Sequence, residues 1–473
     1  MLCCTNLRSH LQLPLVFAIM APMNKLGTEK INKLLVTFAL PSVISLVLNA
    51  IYNMVDQIFI GQGVGYLANA ATNVVFPLTQ LAVALGLLFG DGTASFMNLR
   101  LGEKDRKSAS HGTAAGITGI LSVAVILLIV YNLLLEPLCW LFGATEGTID
   151  YALQYGRIIS LGIPFCIFSC GTSSIIRADS SPGIAMMGLV SGCIVNLIGD
   201  PVAIFVLHLG VRGAALATIA GQCTNMVINI WYLLRRVKSV DLDAGTRKAC
   251  GRFLPTVARL GFSSFVTQVA VVFVMAVQNN LLTIYGAQSE YGADVPLAAL
   301  GVTMKVFTIL QSAIAGMMAG AQPILSFNYG SRQIGRVRET LRKTMVIAIL
   351  IMGIATIWFQ FAPMSIVRLF GSNDDLYNQF AVLCLRVFLA LIVLDAVQMV
   401  ATPFLQAIGK PGPAALLIFF RQLVIQIPAM FLLGAIFGVK GLLYAGPVSS
   451  FLVFILSVIF LVRERQKLKA LEQ

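Results

Sequence analysis

Apolar residues along this chain come in long unbroken runs, without the alternation of a half-buried strand or the narrow stripe of a surface helix. Reading those runs between charged residues and Gly/Pro punctuation gives twelve, at roughly 34–60, 66–90, 110–135, 149–172, 183–207, 213–235, 255–285, 296–320, 343–362, 377–402, 413–437 and 441–462. A helix needs roughly 20 apolar residues to cross the hydrocarbon layer of a bilayer, and each run supplies about that many or more. The pattern predicts an all-α integral membrane protein with twelve transmembrane helices.

The runs repeat as two sets of six. Gly92, Lys104 and Gly210-Val211-Arg212-Gly213 return 228 positions later as Gly320, Arg332 and Gly438-Val439-Lys440-Gly441, and Gly102 returns as Gly330. Six is even, so both halves start on the same side of the membrane. They are then related by a pseudo-twofold axis along the membrane normal, the parallel type of repeat that encloses a cavity between two lobes. The expected division is an N-terminal extension at 1–23, an N-lobe at 24–236 (spans one to six), a cytoplasmic linker at 237–254, a C-lobe at 255–463 (spans seven to twelve) and a cytoplasmic tail at 464–473. Residues 11–21, apolar after Arg8, have the look of a short signal peptide. Met23-Asn24-Lys25 looks like a natural start, so 1–22 read as an over-long start or an added extension.

Composition agrees and removes other classes. The 473 residues are 58 % hydrophobic and 11 % charged, against about 25 % charged in soluble domains, and the mean hydropathy is +0.87. A net charge of +13 invites a nucleic-acid partner, but its distribution argues against one. Lys and Arg cluster at alternate ends of the runs, as in Arg100, Lys104, Arg106 and Lys107, or Arg332, Arg336, Arg338, Arg342 and Lys343. The intervening loops hold Glu146, Asp150, Glu290 and Asp294 instead. Short cytoplasmic loops retain positive charge, so the basic balance reports topology: a multi-pass membrane protein with both termini on the cytoplasmic side. The expected partner is membrane lipid, not nucleic acid, and a monomer is expected. The three histidines are far apart and the nine cysteines form no C-x-x-C, which leaves no metal centre in view.

No cofactor or nucleotide site is legible. Gly409-Lys410 is followed by Pro411, so it is no P-loop, and nothing resembles a nucleophile with its base, so an enzyme is not expected. What remains is charge inside the membrane. An Asp at a helix centre costs about 2.5–3.5 kcal/mol on insertion scales, and Asp56, Asp200 and Asp395 fall inside the first, fifth and tenth runs. Asn196 and Asp200 are four apart and share a helix face, as do Asn49, Asn53 and Asp56 at spacings of four and three. Carboxylate, amide and hydroxyl oxygens suit a hard cation such as Na⁺. A buried carboxylate equally suits a proton.

At these residues a resemblance becomes specific. Asn196-Leu-Ile-Gly-Asp200-Pro201, Gly213-Ala-Ala-Leu-Ala-Thr218 and Gly320-Ala-Gln-Pro323-Ile-Leu-Ser-Phe-Asn328-Tyr329-Gly330 resemble the MATE (multidrug and toxic compound extrusion) family over about residues 24–465. Tyr52-Asn53-Met-Val-Asp56-Gln-Ile-Phe59-Ile-Gly61 resembles its DinF-like branch, which includes MepA-type exporters. The resemblance implies two six-helix lobes in a V and export of organic cations or drugs by alternating access in exchange for Na⁺ or H⁺. By motif and spacing it carries the cation or proton site onto Asp56, Tyr155, Asn196, Asp200 and Thr218, with Na⁺ falling on Asp56, Asn196, Asp200 and Thr218.

This chain departs from the family in two places. Arg177-Ala178-Asp179-Ser180 stands where the family usually has Arg-Ala-x-Gly. Asp395-Ala-Val-Gln398 resembles the carboxylate motif of the NorM-like branch, whose further Glu is replaced here by the Gln278-Asn279-Asn280 stretch. Asn53, Asp395, Gln398 and Gln278 are therefore accessory candidates. Pro41 allows a bend in the first span, and Met275, Met304, Met317, Met318 and Met399 supply adaptable apolar surface for a substrate. The alternative is a lipid-linked oligosaccharide flippase of the same superfamily, which needs basic residues inside the spans to hold a pyrophosphate. The intramembrane charge legible here is mostly acidic.

Overall fold

The computed structural model describes residues 25–64, 66–142, 144, 146–242, 250–292, 294–370 and 375–470; the expected N-terminal extension lies outside them, as do 243–249 of the linker. Among these residues there is no strand. The helices of the first half are α1 (Ile31–Gly63), α2 (Tyr66–Gly102), α3 (Arg106–Leu141), α4 (Ile149–Ala178), α5 (Pro182–Val206) and α6 (Val211–Arg235). Those of the second are α7 (Cys250–Ala287), α8 (Asp294–Gly330), α9 (Ile334–Phe361), α10 (Asp375–Phe388 bent by 53° into Ile392–Ala407), α11 (411–437) and α12 (439–470).

The described residues hold nine helices apolar and long enough to cross a bilayer, or ten with the bent α10. The ninth, Pro411–Leu468, has 58 residues, roughly three times what a span needs, and it breaks at Gly438 (φ 64°, ψ −144°) into α11 and α12. The twelfth is α6, made less apolar by Gln222, Thr224, Asn225 and Asn229. Its polar groups have a use. Asn229 Nδ2 donates to the Ser169 carbonyl (3.2 Å), Thr172 Oγ1 (3.0 Å) and Ser173 Oγ (3.1 Å) of α4, the interhelical hydrogen bonding that joins helices in lipid.

The internal repeat is visible in the backbone. Gly210 (φ 58°, ψ −136°) precedes α6 as Gly438 precedes α12. Lys104 (φ 64°) and Arg332 (φ 58°) close α2 and α8 in the same left-handed conformation. The turn after α4 matches the turn after α10: Ser180 (φ 58°) occupies the place of Gly409 (φ 78°). Ser180 thus adopts the conformation that the family's glycine would take without strain. Its neighbour Asp179 secures the turn, accepting from Tyr232 Oη (2.6 Å), Lys238 N (2.9 Å) and Ser239 N (2.8 Å).

Two close approaches join the halves. A Cβ at Gly92 of α2 would lie 2.1 Å from the Val257 carbonyl oxygen of α7, and one at Gly320 of α8 would lie 2.4 Å from that of Phe38 in α1. Gly92 and Gly320 are 228 apart, whereas Phe38 and Val257 are 219 apart. The first helix of each half therefore follows its own offset, by which Asp56 of α1 corresponds to Met275 of α7.

Both contacts lie toward the end of the bundle that carries Lys104 and Arg332, here termed the basic end. There α1 lends Leu34, Leu35, Phe38 and Ala39 to the apolar core of the second half, while α7 lends Val257 and Leu260 to that of the first. Hydrogen bonds between the halves cluster at the same end: Gln322 Nε2 to Ser95 Oγ (2.8 Å), and Arg336 Nη2 to the Leu26 (2.9 Å) and Glu29 (2.7 Å) carbonyls. The two lobes are closed at the basic end.

Candidate functional site

In the first half, α1, α4, α5 and α6 bring five of the sequence-derived candidates together. Asp200 and Asn196 are buried one turn apart on α5. With its amide oxygen toward α6, Asn196 donates to Asp200 Oδ2 (3.2 Å) and accepts from Thr218 Oγ1 (3.3 Å) and Thr218 N (3.2 Å). The hydroxyl of Tyr155, on α4, reaches Thr218. From α1, Asp56 comes within hydrogen-bonding reach of Asp200. A continuous polar chain thus runs Tyr155–Thr218–Asn196–Asp200–Asp56 across four helices.

Asp56 Oδ1 is shielded from solvent and has no partner. Neither carboxyl group is ion-paired to a basic side chain among the described residues. The oxygen donors, with one oxygen unsatisfied, fit a small hard cation or a proton. Asn53 lies outside this chain: exposed on α1, it donates to the Asn49 carbonyl (2.6 Å) one turn below.

The second half builds a different pocket. Asp395 of α10 is 3 % exposed, and its Oδ2 lies 3.3 Å from Arg421 Nη2 of α11. Arg421 also donates to Gln398, and Ser450 of α12 reaches Asp395. Gln278 is buried on α7 and faces the same cavity, of about 80 Å³, along with Met275 and Met304. Asp395, Gln398 and Gln278 are therefore neighbours, and Asp395 is neutralised by a base that the sequence reading did not identify.

Two further charges escaped that reading. Asp91 sits inside α2, which continues to Gly102 and not only to about 90. It accepts from Ser174 Oγ of α4 (2.7 Å) and from Ser264 Oγ of α7 (2.7 Å), so one carboxylate ties the halves together. Arg177 Nη2 donates to Ser174 Oγ (2.8 Å) from the same helix. The expectation of three intramembrane acids and mostly acidic charge is corrected accordingly: Asp91, Arg177 and Arg421 also lie within the helices. The signals for Arg421 and Asp91 were present, as a single Arg within 413–437 and an Asp one position past a predicted boundary, but pairing across 26 or more residues is invisible to local spacing.

Comparison with known proteins agrees with this architecture. The family model described as MatE matches residues 41–202 and 261–432. The chain is 27 % identical over 421 residues to "Multidrug export protein MepA" of Staphylococcus haemolyticus, covering 88 % of this chain and 90 % of that one. To the MepA of Staphylococcus aureus strain MRSA252 it is 25 % identical, over 92 % of this chain and 94 % of that one. Among solved structures, a multidrug resistance MATE family transporter in an outward-facing conformation superposes with a TM-score of 0.85 at 23 % identity, covering 95 % of this chain and 98 % of that one. A MATE crystal structure in complex with MaL6 gives 0.86 at 22 % over the same shares. The match spans well over half of the chain and both six-helix halves, and the chain belongs to the MATE family as a MepA-like membrane transporter, not an enzyme.

Proposed function

We propose that this protein exports small organic cations from a bacterial cell in exchange for Na⁺ or H⁺, with the Asp56/Asp200 cluster as the coupling site. The carrying observation is the unpaired acid pair itself, with Asp56 Oδ1 lacking any partner inside a membrane bundle. Two unit charges about 4 Å apart repel by about 4 kcal/mol at an effective dielectric of 20. The pair therefore requires a cation, and a proton between the two carboxyls, a bound Na⁺ or a substrate cation each supplies one. Competition among these occupants is what exchange transport needs. The names of the MepA relatives, as multidrug exporters, support the substrate class.

The donor set serves either ion. A proton between the carboxyls leaves Asn196 donating to Asp200 as it stands. Sodium would draw the Asn196 oxygen away from Thr218 by turning the amide. The basic clusters support a cytoplasmic position for both termini and the closed end, and on that reading the closure at Gly92 and Gly320 corresponds to an outward-facing arrangement. Exchange of two ions for one monovalent substrate moves one net charge, worth about 2.3 kcal/mol per 100 mV, or a gradient of roughly fiftyfold.

The flippase reading loses ground on the same geometry. Arg421 is committed to Asp395 and Gln398, and Arg177 to Ser174 beside Asp91, which leaves neither to hold a pyrophosphate. The test is ethidium transport in proteoliposomes under separately imposed Na⁺ and pH gradients. Transport driven by one gradient and lost in Asp200→Asn is expected. Driven transport that survives in Asp200→Asn would overturn the assignment.

A further inference from the structure

A cavity that the transport reading does not use opens at the basic end between α9 and α12, enclosing about 700 Å³. Fully buried Phe404 of α10 lines it, with Met345 and Leu461 on opposite walls. Its rim carries Arg338 and Arg342 of α9 and Arg465 of α12. On each helix the arginines and the apolar wall share one face: Arg338, Arg342 and Met345 at spacings of four and three, Leu461, Arg465 and Leu468 likewise. The one acid on the rim, Glu339, is ion-paired with Lys343. Arg342 and Arg465 are exposed and make no ion pair among the described residues.

The other half handles the equivalent region differently. Ser110 of α3 stands 228 positions before Arg338. The chain leaving α6 turns at Arg236 and crosses that place, with Asp241 N donating to Ser110 Oγ (3.1 Å) and Val240 packed in one apolar cluster with Ala109. By contrast α12 runs straight on to Ala470. The first half thus covers the region with its own linker, whereas the second leaves an apolar slot under a cationic rim.

We propose that this slot binds one anionic phospholipid, with an acyl chain between Val346 of α9 and Val462 of α12 and the headgroup phosphate held by Arg342 and Arg465. The chemistry matches at both ends. Guanidinium groups hold phosphate oxygens in a two-pronged geometry that lysine cannot reproduce. Basic residues at the membrane surface attract anionic lipid. The slot itself opens among exposed apolar residues such as Val346 and Val462. The proposal rests on the chain being embedded in a membrane with its basic end at the surface, and is independent of the coupling ion.

The test is native mass spectrometry on delipidated full-length protein in detergent, titrated with phosphatidylglycerol or with phosphatidylcholine of the same chains. One phosphatidylglycerol should bind saturably and in preference to phosphatidylcholine. Arg342→Gln/Arg465→Gln should weaken it by roughly fivefold per arginine, and each single substitution by roughly one such step. Arg463→Gln/Lys467→Gln, which removes equal charge from the same helix end, should bind as the wild type does. An unchanged melting temperature in detergent certifies that each variant is folded. Equal binding of the two lipids, or equal loss in the control variant, would overturn the proposal. A dimer that disappears in Arg342→Gln/Arg465→Gln would assign the slot to a second copy and overturn it too.

Discussion

The two halves share a backbone plan but not a charge plan. In the first, Asp56 and Asp200 face one another without a base, linked through Asn196 and Thr218 to Tyr155. In the second, Asp395 Oδ2 is held by Arg421, with Gln398 and Ser450 nearby, while its Oδ1, like that of Asp56, has no partner. On the proposed function, the acid pair lacking a base acquires and releases cations as the molecule cycles, whereas an acid already paired has little to exchange. Duplication supplied two equivalent frames, which differ in the acid of α1, Asp56, and in the base of α11, Arg421.

Removing the acid pair should have the largest effect. Asp200→Asn should reduce gradient-driven ethidium export in proteoliposomes to background, while Asp395→Asn/Arg421→Gln, which leaves no buried charge unpaired, retains it. In the second half, Arg421→Gln leaves a buried carboxylate unpaired and should cost about 3–5 kcal/mol, measured as lost thermal stability in detergent. Adding Asp395→Asn should recover most of that loss, since an amide pair needs no counter-charge. If the single and double variants were equally unstable, the pair would not be the cause.

Smaller effects concern the frame. Asp91→Asn replaces a charged acceptor of two hydroxyl bonds, of which the one from Ser264 joins the halves, each worth about 1.5–3 kcal/mol. Spin labels on α3 and α9 at the basic end should then report a larger separated fraction than in the wild type. Where Ser180 and Gly409 occupy matching left-handed turns, Ser180→Gly should stabilise by about 1 kcal/mol and Gly409→Ser should destabilise by a similar amount. The smallest change is at the helix starts. Asp105 caps α3 by accepting from Ser108 N (3.1 Å), while Gln333 makes no side-chain cap for α9. Asp105→Ala should cost about 1 kcal/mol. Bonds from the Ser108 hydroxyl and N–H hold the Asp105 carboxyl below its ordinary value. The cap's contribution is therefore present above that ordinary value and lost as pH falls through the lowered one.

Much of this was legible in the residues. Long apolar runs and the 228-residue offset anticipated twelve helices in two sets, and Gly210 and Gly438 adopt matching backbone angles. Asn196 and Asp200 were visible as a helix-face pair and Asp56 as an acid within the first run, while Tyr155 and Thr218 followed from the family motif and spacing. What local spacing could not show was pairing across the fold. Arg421 neutralises Asp395 from a different helix, and Asp91 gains its partners from α4 and α7. Helix ends were short for a related reason. Polar residues ended each predicted run, yet α2 and α8 continue to Gly102 and Gly330 because the halves pack there. The Asp179 turn reads as a departure from the family until Tyr232 and Ser239 are seen to bind it.

The most direct test of the difference between the halves is equilibrium ion binding by purified protein. Proton uptake in weakly buffered detergent solution and radioactive sodium binding should be compared in the wild type, Asp56→Asn, Asp200→Asn and Asp395→Asn. Uptake of one ion that is lost in the first two variants and kept in Asp395→Asn is the expected result. Uptake that persists without Asp56 and Asp200 but vanishes with Asp395 would place the exchangeable cation in the second half and contradict the account.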